Sequence, residues 1–413
     1  MTDTPANVAA TKAVEGVFRE AYGQAVATLV RVFGDITLAE DAVQDALAVA
    51  TERWRRDGIP PNPAGWIVTT ARNRAVDLVR RAARGRELSE QVTIEAGDPD
   101  WLDPNDMSVV GDDRLRLIFT CCHPALRTEH QIALTLRLFG GLDVDELAQA
   151  FLVTESAMAK RLVRAKYKIR AANIPYRVPR EADLPDRLTS VLSVLYLIYN
   201  AGINNPGRPL LRSEALRLVR ALVDLMPDEP EAAGLLALML LNEARAPTRH
   251  ADSDLVRLRD QDRSLWNRNL IEEGQAIVRA CIRRGRPGPY QLQAAIHAVH
   301  CDAPSIEDTD WRQIVTLYDH LHGITPTPVV ALNRAIAVAE THGPGAALEL
   351  IDSVAADLDN YHLMHAARGT YLRLLGRSSG AAAAFRKARD LAPTDRERRF
   401  LAEQIQALTA DTE

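Results

Sequence analysis

The chain has 413 residues, of which 47% are hydrophobic and 25% charged, which excludes wholesale disorder and fibrous repeats and leaves room for two or three folded units. Its formal net charge of -5 speaks against a uniformly basic nucleic-acid binder. The longest apolar runs, Gly234 to Leu241 and Val191 to Tyr199, fall short of the roughly 18 residues a membrane span needs.

The first residues, Met1-Thr2-Asp3-Thr4-Pro5, have neither the basic flank nor the apolar core of a signal peptide, so cytoplasmic residence is the expectation. Cys121, Cys122, Cys281 and Cys301 lack CxxC spacing and are expected as free thiols, not as a disulfide framework or a metal site. Apolar residues recur at spacings of three and four almost throughout, beginning with Val14, Phe18, Tyr22, Val26 and Leu29. The expected fold class is therefore all-α.

In chain order, Glu40, Asp41, Gln44 and Asp45 form an acidic helix face suited to solubility or to a basic partner. A loop from Arg56 to Pro63 follows, stiffened by three prolines. The helix after it carries Trp66, Ile67 and Asn73 and then runs into Arg72, Arg74, Arg80, Arg81, Arg84 and Arg86 against the single acid Asp77. A solvated helix mixes charge signs to gain i,i+4 pairs, so a single-sign helix favours a polyanion. Its arginines suit phosphates, and polar loop groups suit an exposed base, as in single-strand readers. Trp54 and Trp66 are expected to be core residues at helical spacing. Residues 87–107 contain seven acids and two prolines with no Lys or Arg, and read as an extended acidic linker.

A second basic helix has a more specific setting. Leu142 to Phe151 forms a short helix with Leu147, Ala148 and Phe151 inward, Leu152-Val153 turns tightly, and Thr154 is a good N-cap for the next helix. This is helix-turn-helix spacing. Thr154, Ser156, Ala157, Lys160, Arg161 and Arg164 lie where such a helix meets bases and phosphates in a major groove. Pro175 ends the segment.

Beyond residue 180 helical runs alternate with Pro- and Gly-bearing turns. Ala335, Val338, Ala347 and Ile351 recur as Gly369, Leu372, Ala381 and Phe385, each pair 34 residues apart, the tetratricopeptide period. The small residues allow close helix approach, while Ile351 and Phe385 fill the space between hairpins. The parse is a helical domain over 10–86, the acidic linker 87–107, a helix-turn-helix domain over 108–174, and a tetratricopeptide-like helical-hairpin array over 180–413 with its clearest repeats at 327–395.

Ala39 to Ala46, Trp66-Ile67 with Ala71 to Arg81, and the helix-turn-helix at 142–170 together resemble the extracytoplasmic-function (ECF) sigma factors of bacterial RNA polymerase. The remainder, including Leu115 to Pro124, Asp260 to Trp266 and Gly288 to Ala295, is similar to the extension of the group numbered forty-two. The resemblance implies an alternative sigma factor whose partners are core RNA polymerase and promoter DNA, with no cofactor and no enzymatic activity.

Carried over by residue, the resemblance implies that Glu40, Asp41, Gln44 and Asp45 meet the polymerase clamp. Arg56, Asp57, Asn62, Arg72, Asn73, Arg74, Arg80 and Arg81 would take the opened −10 element, and the helix from Thr154 would read the −35 duplex. The linker would occupy the RNA-exit path. Early in the recognition helix Ala159 stands where many members carry Lys or Arg, and Met158 and Val163 leave fewer polar readers, so Lys160, Arg161 and Arg164 would dominate. Residues 180–413 are then expected to modulate activity, through contact with the sigma domains or through a protein signal.

Two other readings compete. A tetratricopeptide-type scaffold, or a helix-turn-helix regulator that is not a sigma subunit, predicts no productive complex with polymerase. An enzyme, suggested by Cys121-Cys122-His123 and by His297, His300 and Cys301, lacks any phosphate loop, nucleophile elbow or HExxH motif; the adjacent cysteines point to different sides of a helix and are ill placed to share one zinc.

Overall fold

The computed structural model describes residues 22–84, 107–139, 141–151, 153–180, 182–203, 209–248, 250–251 and 254–410. The acidic linker up to Asp106, Arg86, the expected helical positions Val14 and Phe18, and Leu152 of the expected turn lie outside the described residues. The chain divides into two units, Met1–Leu225 and Met226–Glu413.

In the first unit, helix α1 (residues 22–33) buries Tyr22, Val26, Leu29 and Val30. Gly34 ends it with φ 67°, a left-handed conformation that glycine adopts without Cβ strain. Asp35 then caps α2 (Ile36–Asp57), its Oδ1 accepting from the Thr37 amide at 2.8 Å. The inward side of α2 is largely alanine, Ala39, Ala42, Ala46 and Ala50, with Val43 and Trp54, so α3 (Pro63–Arg84) packs closely along it. Trp54 and Trp66 meet edge to face at 5.5 Å, and Trp54 is buried, as core packing requires.

The unit continues with α4 (Met107–Cys121), α5 (Thr128–Leu134), a wider π turn (Thr135–Phe139), α6 (Val144–Phe151) and α7 (Glu155–Ala171). The hairpin of α8 (Leu184–Ile203) and α9 (Pro209–Leu225) packs on α4, and α8 also on α5. Leu188, Val191, Leu192, Leu195, Ile198 and Tyr199 make α8 apolar on its inner side. Gly202 is required where α9 crosses, because a Cβ there would stand 2.7 Å from the Arg212 amide nitrogen.

In the second unit, α10 (Pro230–Ala244) is buried almost all round, which marks it as a central helix. It packs between α11 (Arg268–Arg284) and α12 (Pro289–Asp302). Trp266 lies under the Arg263 and Arg245 guanidinium groups, and Arg263 donates to the His300 and Ala303 carbonyls, locking the connecting segment. The strand pairing among the described residues is one two-residue ladder, His250–Ala251 with Asp254–Leu255.

Helices α13 (Trp311–Ile324), α14 (Pro328–Val354), α15 (His362–Leu374), α16 (Ser378–Leu391) and α17 (Asp395–Ala410) complete the unit as successive hairpins. The backbone of α14 breaks at Gly343 (φ 83°) before Pro344, so it is two helices that match α15 and α16 in the 34-residue period. Ala335, Ala347 and Ile351 share one core with Met364 and Tyr371, and Leu372, Ala381 and Phe385 share the next with Ala388. The pairs Ala347/Ala381 and Ile351/Phe385 thus occupy equivalent places in two adjacent cores.

Candidate nucleic-acid interface

The end of α2 and the start of α3 set the first candidate surface. Gly58 (φ 83°) turns the chain out of α2, and the Asn62 Oδ1 accepts from the Gly65 amide at 2.9 Å, fixing the entry of α3. The Arg56 Nε donates to the Asp57 carboxylate at 2.7 Å, so these two neighbours neutralise one another in the free chain. Ile67, Ala71 and Ala75 face α2, while Asn73, Arg74, Arg80 and Arg81 are exposed and Arg72 is half-buried. The residues expected to meet the −10 element therefore lie on the loop and on the solvent side of one helix.

The second surface is the helix-turn-helix. Asp143 and Glu146 form a reciprocal capping box, the Asp143 amide donating to Glu146 at 2.9 Å and the Glu146 amide to Asp143 at 2.8 Å. Leu147 and Ala148 are buried and Phe151 is half-buried. The Thr154 Oγ1 accepts from the Ala157 amide at 3.2 Å, which caps α7. Met158, Leu162, Ala165 and Ile169 form its inner face. Met158 is thus a core residue, while Val163 lies on the outer face. Ser156, Ala157, Lys160 and Arg164 are exposed and Arg161 is half-buried.

The acidic set on α2 divides. Asp41, Gln44 and Asp45 are exposed, whereas Glu40 is only 4% exposed. The Arg137 Nε donates to Glu40 Oε1 at 2.5 Å and the Lys166 Nζ to Oε2 at 2.8 Å. Burial by itself drives the Glu40 carboxyl up, but Arg137 and Lys166 outweigh it and hold it below the usual carboxylate range. Arg137 also donates to the Leu142 carbonyl at 2.8 Å, and its guanidinium stands 5.6 Å from the Tyr22 ring centre.

The π turn carries Arg137 between two leucines that point into the core. Its signal in the sequence is a single cation within the apolar run from Ile132 to Phe139. Around this joint Arg170 pairs with Asp35 at 2.6 Å and Arg31 with Asp113 at 2.6 Å, while the Tyr176 hydroxyl lies 2.7 Å from the Ala27 carbonyl. The helix-turn-helix is thereby tied to α2 through Lys166 and Arg170 of α7, and the segments flanking it are tied to α1 through Asp113 and Tyr176.

Below α5, the Arg187 of α8 donates to the Phe119 carbonyl, and the Thr120 Oγ1 lies 3.5 Å from the Pro175 carbonyl. Cys121 and Cys122 are buried there as free thiols. Burial pushes the Cys122 thiol up to about 12, which makes it inert at neutral pH. His300 is also buried, and desolvation lowers its pKa to about 3, so it is a neutral packing residue beside Trp311. Among the described residues, no three His, Cys, Asp or Glu side chains stand together as metal ligands. No described helix is long and apolar enough to cross a membrane.

Comparison with known proteins covers the segments that carry these two surfaces. Residues 17–85 match sigma-70 region 2 and residues 116–169 match sigma-70 region 4. Residues 187–282 match a family of unknown function, DUF6596. An uncharacterized protein of Rhizobium meliloti (strain 1021) is 42% identical over 397 residues, covering 94% of both chains. The ECF RNA polymerase sigma factor SigK of Mycobacterium bovis (strain BCG / Pasteur 1173P2) is 27% identical over 146 residues, 34% of this chain and 75% of that one. The crystal structure of the P58(IPK) TPR domain aligns over 90% of this chain and 99% of that one at 12% identity with a TM-score of 0.27.

Proposed function

We propose that the chain, which belongs to one family with its Rhizobium meliloti relative and carries matches to sigma-70 regions 2 and 4, is a sigma factor of the ECF type that binds core RNA polymerase and directs promoter-specific initiation. In this reading Asp41, Gln44 and Asp45 dock α2 on the polymerase. The loop after α2 and the outer face of α3 take the opened −10 strand, and α7 reads the −35 duplex. The observation that carries the reading is the presence, in one chain, of a capped helix-turn-helix with Ser156, Lys160 and Arg164 exposed and a separate helix with Asn73, Arg74 and Arg80 exposed. One suits a double-stranded target and the other a single strand.

The −35 and −10 elements lie about 25 base pairs apart, roughly 85 Å at 3.4 Å per pair. In the free chain Lys166 of α7 touches Glu40 of α2 at 2.8 Å. Simultaneous contact with both elements therefore requires α7 to leave α2, and Glu40 then joins Asp41, Gln44 and Asp45 on the polymerase-facing side. Phosphates and polymerase compete directly for the charges that hold the free chain closed.

We also propose that residues 180–413, an extension of the forty-two type, modulate this activity, with a protein signal partner acting through them. Packing of α8 against α5, which itself packs on α7, gives that modulation a physical route. The test of the reading is complex formation: the full chain is expected to co-elute with core polymerase, and Asp41→Asn with Asp45→Asn to weaken the complex at least tenfold. Absence of a complex at micromolar concentrations would reject it.

A further inference from the structure

Outside the assigned readers, α7 carries two large exposed side chains that the fold does not use. Val163 is 63% and Tyr167 72% exposed, in a helix whose other large apolar residues, Met158, Leu162 and Ile169, are buried. At about 100° per residue, Ser156, Lys160, Val163 and Tyr167 fall within roughly 60° of arc and form one ridge. The inner face, Met158, Leu162, Ala165 and Ile169, lies on the opposite side, so the ridge faces outward, with Lys160 and Tyr167 nearest its middle and Val163 on its flank, about one turn beyond Lys160 along the axis.

An outward valine there has a restricted chemistry. With a rise of 1.5 Å per residue, Val163 is about 10.5 Å and Tyr167 about 16.5 Å along the axis from Ser156. A major groove about 12 Å wide thus takes Ser156, Lys160 and Val163 between its walls and leaves Tyr167 at the lip. Serine and lysine present hydrogen-bonding groups to base edges, and valine presents none. The single apolar group that a base pair offers in the major groove is the C5-methyl of thymine.

We propose that Val163 is a specificity-determining residue that packs on the C5-methyl of a thymine in the −35 element, with the Tyr167 hydroxyl donating to a phosphate at the groove edge. The proposal rests on the reading of α7 as the −35 helix. It adds a base preference that the polar and basic residues of that helix do not supply.

The test uses the full chain bound to core polymerase and a −35 duplex selected from a random library. Each thymine of the duplex is replaced in turn by deoxyuridine, which removes the methyl and nothing else. For one position the wild-type protein is expected to lose about fourfold in affinity, the value of one buried methyl-sized group. Val163→Ala, a substitution at an exposed helical site that favours helix, is expected to bind thymine and deoxyuridine equally there.

Tyr167→Phe is expected to lower affinity for every duplex by a similar factor while leaving the thymine-to-deoxyuridine ratio of the wild type. Equal deoxyuridine penalties in wild type and Val163→Ala at all positions overturn the proposal, while sequence-selective binding persists. Failure to select any duplex above random DNA overturns the −35 reading itself, and the proposal with it.

Discussion

Replacing Glu40 by glutamine keeps its size and removes the charge that two cations share. Glu40 and Arg137 side chains are 6% and 7% exposed, and Lys166 is the more exposed partner. Breaking a buried pair from one side costs about 3–5 kcal/mol, because the remaining ion is left buried. The glutamine oxygen still accepts one hydrogen bond from Arg137, so the lower end, about 3 kcal/mol, applies. At about 1.4 kcal/mol per decade, that is roughly a hundredfold rise in local opening. Hydrogen–deuterium exchange read by mass spectrometry is the assay, since a two-unit chain does not give one unfolding free energy.

Peptides covering residues 36–50 and 132–142 are expected to exchange about a hundredfold faster in Glu40→Gln. Because the folded-state pKa of Glu40 is depressed, its contribution is full above the ordinary value of 4.5 and is lost as pH falls through the lower folded value. The wild-type chain therefore loses protection in these peptides on acidification below that value, and the variant lacks this component. Exchange within threefold of wild type in both peptides at neutral pH would refute the reasoning.

Thr154→Ala removes the cap of α7 and is expected to cost about 1 kcal/mol, seen as faster exchange in the first turn of α7 and weaker −35 binding. Lys160→Ala and Arg164→Ala are each expected to lower DNA affinity and to flatten the slope of log affinity against log salt by about 0.9. Gly369→Ala drives a Cβ to 2.8 Å from the Phe385 ring, so about 1–3 kcal/mol of overpacking is expected as a lower melting temperature. Cys122, its thiol raised to about 12, is expected to resist alkylation at pH 8 in the native chain and to react once urea unfolds it.

Local chemistry made part of this molecule legible in its sequence. Thr154 as a cap and the 34-residue spacing of Ile351 and Phe385 depend on neighbours within one or two hairpins, and the structure has both of them. Which face of α7 is outward was also readable, from Met158, Leu162, Ala165 and Ile169 at spacings of four, three and four. The residue types in the early part of the helix draw attention away from that periodicity.

The Glu40–Arg137 pair, 97 residues apart, was not legible. Each member sits in a run whose local pattern describes only its own helix, and the partner is fixed by packing between helices. The association of α8 and α9 with α4, and of α8 with α5, has the same cause: Pro175 and Pro179 mark a break in the helix, but apolar faces on both sides of it bury one another.

Run-off transcription with core polymerase, the full chain and a promoter library, in the absence of any other sigma subunit, tests the account most directly. Transcripts starting downstream of a shared −35/−10 pair, abolished by Lys160→Ala with Arg164→Ala, are the predicted result. No transcript from any template, with a polymerase preparation active on a control sigma factor, would contradict it.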